Sequence, residues 1–134
     1  MARNYFQKAV EIDGSKYPIW SQLLILEAEL EIFDTLVIHG RQAAELFPNQ
    51  PLCFYFAGYG NSRLKKYKEA VESYERGLKL IVDNDPLKVQ FLLGMADSYN
   101  ENGEYEKSDE SFEKILKMEP NNTVALNNYS YYLS

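Results

Sequence analysis

A chain of 134 residues has room for one domain or one stretch of a repeat array, and not for two domains with linkers. Hydrophobic residues make up 46% and charged residues 25%, a globular balance that argues against disorder. The formal charge of −6, from 20 acidic and 14 basic residues, argues against a general nucleic-acid binder, which would show a basic face. The longest apolar run, residues 23–26 with Ile19 and Trp20 just upstream, is too short to span a bilayer. No basic leader with a small-residue cleavage site opens the chain. One cysteine, Cys53, permits no internal disulfide, and one histidine, His39, nearly empties the inventory for a metal site.

In chain order, residues 1–13 read as a helix ended by Gly14, since glycine accepts the left-handed conformation past a helix terminus. Pro18, Pro51 and Pro86 each stand where a further helix begins, because proline at a first helical position wastes no hydrogen bond. Asp85 and Asn122 are the candidate N-caps, with side-chain oxygens able to accept from free amides of the first turn. Asn102 and Gly103 mark a turn between two helices. These signals together predict eight helices.

The chain also repeats itself. Residues 17–50 close on Phe47-Pro48-Asn49, and residues 89–122 close on Glu119-Pro120-Asn121-Asn122, both 34 residues long. Between them residues 51–88 form the same unit lengthened by four, around positions 83–86. Four residues are about one helical turn, so the insertion can lengthen a helix or its turn without rotating the next face far. The columns agree as well as the spacing does. A large apolar residue opens each unit at Trp20, Phe54, Leu92 and Leu126, followed three residues on by Leu23, Ala57, Met95 and Tyr129. Gly58, Ala96 and Ser130 keep the next column small, where paired helices need short side chains, although Leu24 breaks it. Phe33, Tyr67 and Tyr105, then Leu36, Ala70 and Ser108, then Tyr74 and Phe112 continue the register.

This pattern resembles the tetratricopeptide repeat (TPR), W-x2-L-G-x2-Y…A-x3-F…P, a helix–turn–helix unit. Residues 89–122 fit it without a gap through Leu92, Met95, Ala96, Tyr99, Ser108, Phe112 and Pro120. Residues 17–50 depart most, with Glu27 for the tyrosine and Gly40 for the second aromatic. Ala2, Phe6 and Ala9 fall in the columns of Ala70, Tyr74 and Gly77, so residues 1–16 read as the second helix of a preceding repeat. Residues 123–134 read as the first helix of a truncated one. The resemblance implies one all-α domain over 1–134, a right-handed solenoid of antiparallel helix pairs cut from a longer array. The stretch Ala125-Leu126-Asn127-Asn128-Tyr129-Ser130-Tyr131-Tyr132-Leu133-Ser134 is also similar to one found in long bacterial multi-TPR proteins, which suggests a bacterial source. It does not choose between cytoplasm and cell envelope.

Chemistry has little to stand on. His39 has no carboxylate or nucleophile at an interpretable spacing and reads as solvated or packed. Cys53 reads as a small residue packed between units. No P-loop, dinucleotide fingerprint or paired-histidine zinc motif is present. The acidic stretches at 27–31 and 109–110 read as solvated helix faces, and the basic run at 63–68 as a charged interhelical turn. Asn121-Asn122-Thr123 and Asn128-Tyr129-Ser130 match the glycosylation pattern by chance. The chain is therefore expected not to be an enzyme and to need no cofactor or metal.

The aromatic residues say more. Phe33, Tyr67, Tyr74, Tyr105 and Phe112 occupy packing columns, whereas Tyr55 and Tyr59 lie off the packing face at i, i+4. In TPR arrays the matching columns of each first helix line the concave surface. The resemblance thus implies a peptide-binding groove of Tyr55, Tyr59, Ser62, Arg63, Gln90, Asp97, Asn100, Asn127 and Tyr131. Ser21, Ile25, Glu29, Leu52, Leu93 and Glu101 share those columns. Aromatic faces, amides and both charges suit an extended peptide, with Arg63 facing a partner acid and Asp97 and Glu101 disfavouring one. The lysine and asparagine clamp for chaperone tails is missing, since the relevant positions hold Ser21, Ile25, Phe56, Gln90 and Gly94. The expected function is a non-catalytic protein-interaction scaffold. A structural role, with chains self-associating through an open C-terminal face of Leu126, Tyr129 and Leu133, is the alternative.

Overall fold

The computed structural model describes residues 2–133; Met1 and Ser134, which the sequence readings include in 1–16 and 123–134, lie outside the described residues. The described chain forms eight helices and no strand: α1 (Ala2–Ile12), α2 (Tyr17–Glu29), α3 (Phe33–Leu46), α4 (Pro51–Arg63), α5 (Tyr67–Leu78), α6 (Asp85–Glu101), α7 (Tyr105–Met118) and α8 (Thr123–Leu133). Prolines sit in the first turn of α2, α4 and α6. Asn122 caps α8, accepting from the Ala125 amide at 2.9 Å. For α6 the cap is Asn84, which accepts from the Leu87 amide at 3.2 Å. Asp85, the candidate from sequence, is already the first helical residue. The four extra residues become an additional first turn: α6 has 17 residues where α2 and α4 have 13.

The turns inside the helix pairs share one device. Glu31 (φ 58°), Lys65 (φ 64°) and Gly103 (φ 82°) are left-handed. The Lys65 amide donates to the Ser62 carbonyl at 3.0 Å and the Lys66 amide to the Asn61 carbonyl at 2.8 Å. Gly103 to Asn100 and Glu104 to Tyr99 repeat the pattern at 3.1 and 2.8 Å. This pair of hydrogen bonds satisfies carbonyls that a helix end otherwise leaves open. Only the third turn uses glycine, so the first two carry a steric cost. Lys65→Gly is expected to stabilise the chain by about 1 kcal/mol, read as a rise in Tm of roughly 3–6 °C in thermal unfolding; an unchanged or lower Tm would show the turn unstrained. Gly14 behaves differently from its sequence reading. It is not left-handed; its carbonyl instead accepts the Trp20 indole N–H at 3.0 Å.

Consecutive helices pack side by side, and the first helices of successive pairs also touch: α2 with α4, α4 with α6, α6 with α8. No such contact joins α3 to α5 or α5 to α7. The first helices therefore line one continuous face of the solenoid. The interior falls into two apolar clusters. One gathers Trp20, Leu23, Leu24, Leu36, Ala43 and Cys53; burial there pushes the Cys53 thiol up to about 11, which keeps it an unreactive packing residue. The other holds Tyr74, Phe91, Leu92, Phe112 and Ile115. Full burial of such side chains is worth about 1.5–3 kcal/mol each. Two rings depart from their sequence assignments. Tyr105, placed in a packing column, is 62% exposed. Tyr129, assigned to the open C-terminal face, stacks on Phe112 with ring centroids 5.1 Å apart.

Glu27 overturns its own sequence reading and completes that of His39. It is completely buried, not part of a solvated acidic face. It also supplies the carboxylate that His39 lacks in sequence: His39 Nδ1 lies 2.7 Å from Glu27 Oε1, and Arg3 Nη2 lies 3.0 Å from Oε2. Spacings of 12 and 24 residues carry no local signal; only the packing of α1, α2 and α3 brings the three groups together. Hydrogen bonds from His39, Thr35 and Arg3 outweigh burial, the largest single influence, and hold the Glu27 carboxyl below the usual range.

Candidate functional site

A cavity of ≈670 Å³ opens on the first-helix face between α4 and α6. From α4 come Tyr55, Tyr59, Ser62 and Arg63; from α6 come Gln90, Leu93, Gly94, Asp97, Ser98 and Glu101. Tyr67 and Tyr74 reach it from α5, and Lys65 from the turn between α4 and α5. Of the nine groove residues expected from sequence, six thus converge: Tyr55, Tyr59, Ser62, Arg63, Gln90 and Asp97. Asn100 is on α6 outside the cavity wall, and Asn127 and Tyr131 are exposed on α8, beyond it.

The tyrosine pair does not stand clear of the core. Tyr55 and Tyr59 are parallel, with centroids 6.4 Å apart and planes 6° from each other. Tyr55 also packs on Tyr74 at 5.7 Å and Phe91 at 5.3 Å, and Tyr59 on Phe33 at 5.8 Å. Both rings are thus held by interior contacts while also lining the cavity, so the pair forms an aromatic wall anchored in the core. Tyr74, which its column assigned to the core, also contributes to this wall. Glycines on both neighbouring helices admit its ring: a methyl at Gly58 would come within 2.9 Å of it, and one at Gly94 within 2.5 Å. No single helix pattern contains this arrangement, because it needs α4, α5 and α6 in register.

The charges are divided across the cavity. On the α4 side, the Arg63 guanidinium lies 4.9 Å from the Phe33 ring centre, pairs with Glu31 at 3.8 Å and reaches the Tyr59 hydroxyl at 3.5 Å. On the α6 side, burial pushes the Asp97 carboxyl up, against hydrogen bonds to Tyr132 and Asn128 and with Glu101 adding to the rise. Asp97 Oδ1 is shielded from solvent and has no hydrogen-bond partner, and the same holds for Ser98 Oγ. Among the described residues no cluster of histidine, cysteine, aspartate and glutamate could hold a metal ion. No described helix is long and apolar enough to cross a membrane.

The tetratricopeptide-repeat family profile matches residues 53–81 and 89–122. The photosystem I assembly protein Ycf3 of Synechococcus sp. (strain CC9605) is 36% identical over 75 residues, which are 56% of this chain and 43% of that protein. The chain spans less than half the length of the curated relatives it matches. A crystal structure of MamA superposes with a TM-score of 0.82 at 15% identity, covering 92% of this chain and 70% of that one. The first TPR domain of Spaghetti (RPAP3), bound to the HSP90 peptide SRMEEVD, does so with a TM-score of 0.75 at 16% identity, covering 85% and 89%. These likenesses at low identity speak for the fold. With the registered repeats and the eight paired helices, the chain is a tetratricopeptide-repeat protein.

Proposed function

We propose that this tetratricopeptide-repeat chain is a non-catalytic interaction scaffold that holds an extended peptide segment in the cavity between α4 and α6. In this reading its working units are residues 17–50, 51–88 and 89–122, flanked by half-units at 1–16 and 123–134. The cavity itself carries the proposal: a core-anchored tyrosine wall facing amide, hydroxyl and carboxylate groups on the face shared by the first helices. Tyrosines already immobilised by the core give contact area with little entropy left to lose. The peptide bound by the RPAP3 domain, which shares this fold, supports the same use of the groove here.

Tyr59 is the cleaner probe, since truncating Tyr55 would also disturb Tyr74 and Phe91. A hexapeptide selected on the parent chain from a random library is expected to bind Tyr59→Ala about five- to thirtyfold more weakly, the range of a moderate interface anchor. Asn127→Ala, outside the cavity, should bind as the parent does. Titration of both variants at matched helicity decides the matter, and equal affinity for Tyr59→Ala and parent would remove the cavity as the site.

One observation favours a second reading, assembly through α8. Val124, Leu126 and Leu133 are all exposed there, Leu133 by 64%, and a second copy of the chain could cover them. Light scattering is then expected to show mass rising with concentration. A strict monomer at high concentration would dismiss it.

A further inference from the structure

We infer that the cavity between α4 and α6 selects a segment carrying a lysine or arginine, seated with its cation against the Asp97 and Glu101 carboxylates and its stem on the Tyr55 and Tyr59 rings. The inference rests on the peptide-binding reading above and specifies its partner.

Asp97 and Glu101 stand one turn apart on α6 and both line the cavity, so their fields add in the same space. The chain supplies neither with a cation: among the described residues the ion pairs are Arg3 and His39 with Glu27, Arg63 with Glu31 and Lys107 with Glu104. The cavity's own cations stay on the opposite side. Arg63 is held by Glu31, Phe33 and Tyr59, and Lys65 is an exposed residue of the turn. Asp97 receives only neutral donors, Tyr132 and Asn128. A carboxylate withdrawn from water without a counter-ion is costly, and a cation from outside removes that cost.

A second, separate sign comes from Ser98. Its side chain lines the same cavity and is only 2% exposed, yet its Oγ has no partner. Buried hydroxyls are nearly always satisfied, so this one is an open polar position in the cavity wall. The aromatic wall completes the fit. Tyrosine faces attract an ammonium or guanidinium group and take the methylene stem of either side chain by simple contact. A partner acid at the same place would meet two carboxylates instead.

The test uses the full chain and a library of N-acetylated, C-amidated hexapeptides, so that no terminal charge competes. Peptides retained by the parent are expected to concentrate lysine or arginine at one position. Replacing that residue by norleucine or citrulline should weaken binding about tenfold or more, as for a charged hydrogen bond. On the Asp97→Asn/Glu101→Gln variant the same replacement should change affinity less than about twofold, with helicity unchanged. Asp97→Asn alone, which keeps the side-chain shape, guards against a folding defect in the pair. Retained peptides that favour acids, or a basic preference that survives both substitutions, would overturn the inference while leaving the groove in place. Binding that also ignores Tyr59→Ala would remove the groove itself, and this inference with it.

Discussion

Replacing Glu27 with alanine is expected to destabilise the chain by about 3 kcal/mol, the lower end of the range for breaking a buried ion pair. The lower end applies because the two groups left behind are not sealed in: the side chains of Arg3 and His39 are 20% and 13% exposed and can turn partly toward water. The loss should concentrate at α1, whose helix contacts are with α2 alone and which Arg3 ties down from its first turn. Hydrogen exchange is expected to show α1 opening before α4–α7. Acid should separate parent from variant. The folded Glu27 carboxyl is held below its usual value of 4.5, so its contribution is fully present above that value and is lost as pH falls through the lower folded value. Denaturant midpoints should therefore converge between pH 5 and the acid limit. A gap that stays constant over that window would mean that Glu27 acts through packing and not through its charge.

Gly94→Ala is expected to cost about 2–3 kcal/mol, near the top of the range for an overpacked core. The added methyl would fall 2.5 Å from Tyr74 Cζ and 2.8 Å from its hydroxyl. Exposed side chains escape such contacts by rotating, but Tyr74 cannot. Its other flank faces Gly58 at 2.9 Å from a would-be methyl, it is 2% exposed, and Phe91 and Tyr55 close around it at 6.1 and 5.7 Å. Whatever gives way lies in the cavity wall, so peptide affinity should fall together with stability. Combining Gly94→Ala with Tyr74→Leu should recover part of the loss, since the shorter side chain vacates the space the methyl needs. Urea midpoints of the single and double variants measure this; additive losses would place the strain elsewhere.

Much of this molecule is determined by its sequence alone, and the reason is the local nature of a repeat. Helix starts at Pro18, Pro51 and Pro86 and the turn at Asn102-Gly103 depend on residues within one or two turns of each other, and the columns from Trp20 to Leu126 repeat such a local pattern once per unit. Such signals survive without knowledge of the fold. Even the four extra residues before Val89 are visible, though only the structure shows them added to the start of α6 and capped by Asn84. The α4 and α6 positions that converge on the cavity follow from the resemblance, which places those columns of each first helix on one face. What lay beyond reach depended on contacts between helices. Tyr74 belongs to the core by its column, and reaches the cavity only because Gly58 and Gly94 leave room on two other helices. Asp97 lacks a cation and Ser98 lacks a partner only because of what packs around α6. Glu27 looks like one more surface acid in a charged stretch until α1 and α3 bring Arg3 and His39 to its two oxygens. Periodicity assigns a side chain to a face; whether that face holds a buried charge, a spanning ring or an unmet carboxylate is decided by the neighbouring helix, whose residues lie 12 to 24 positions away.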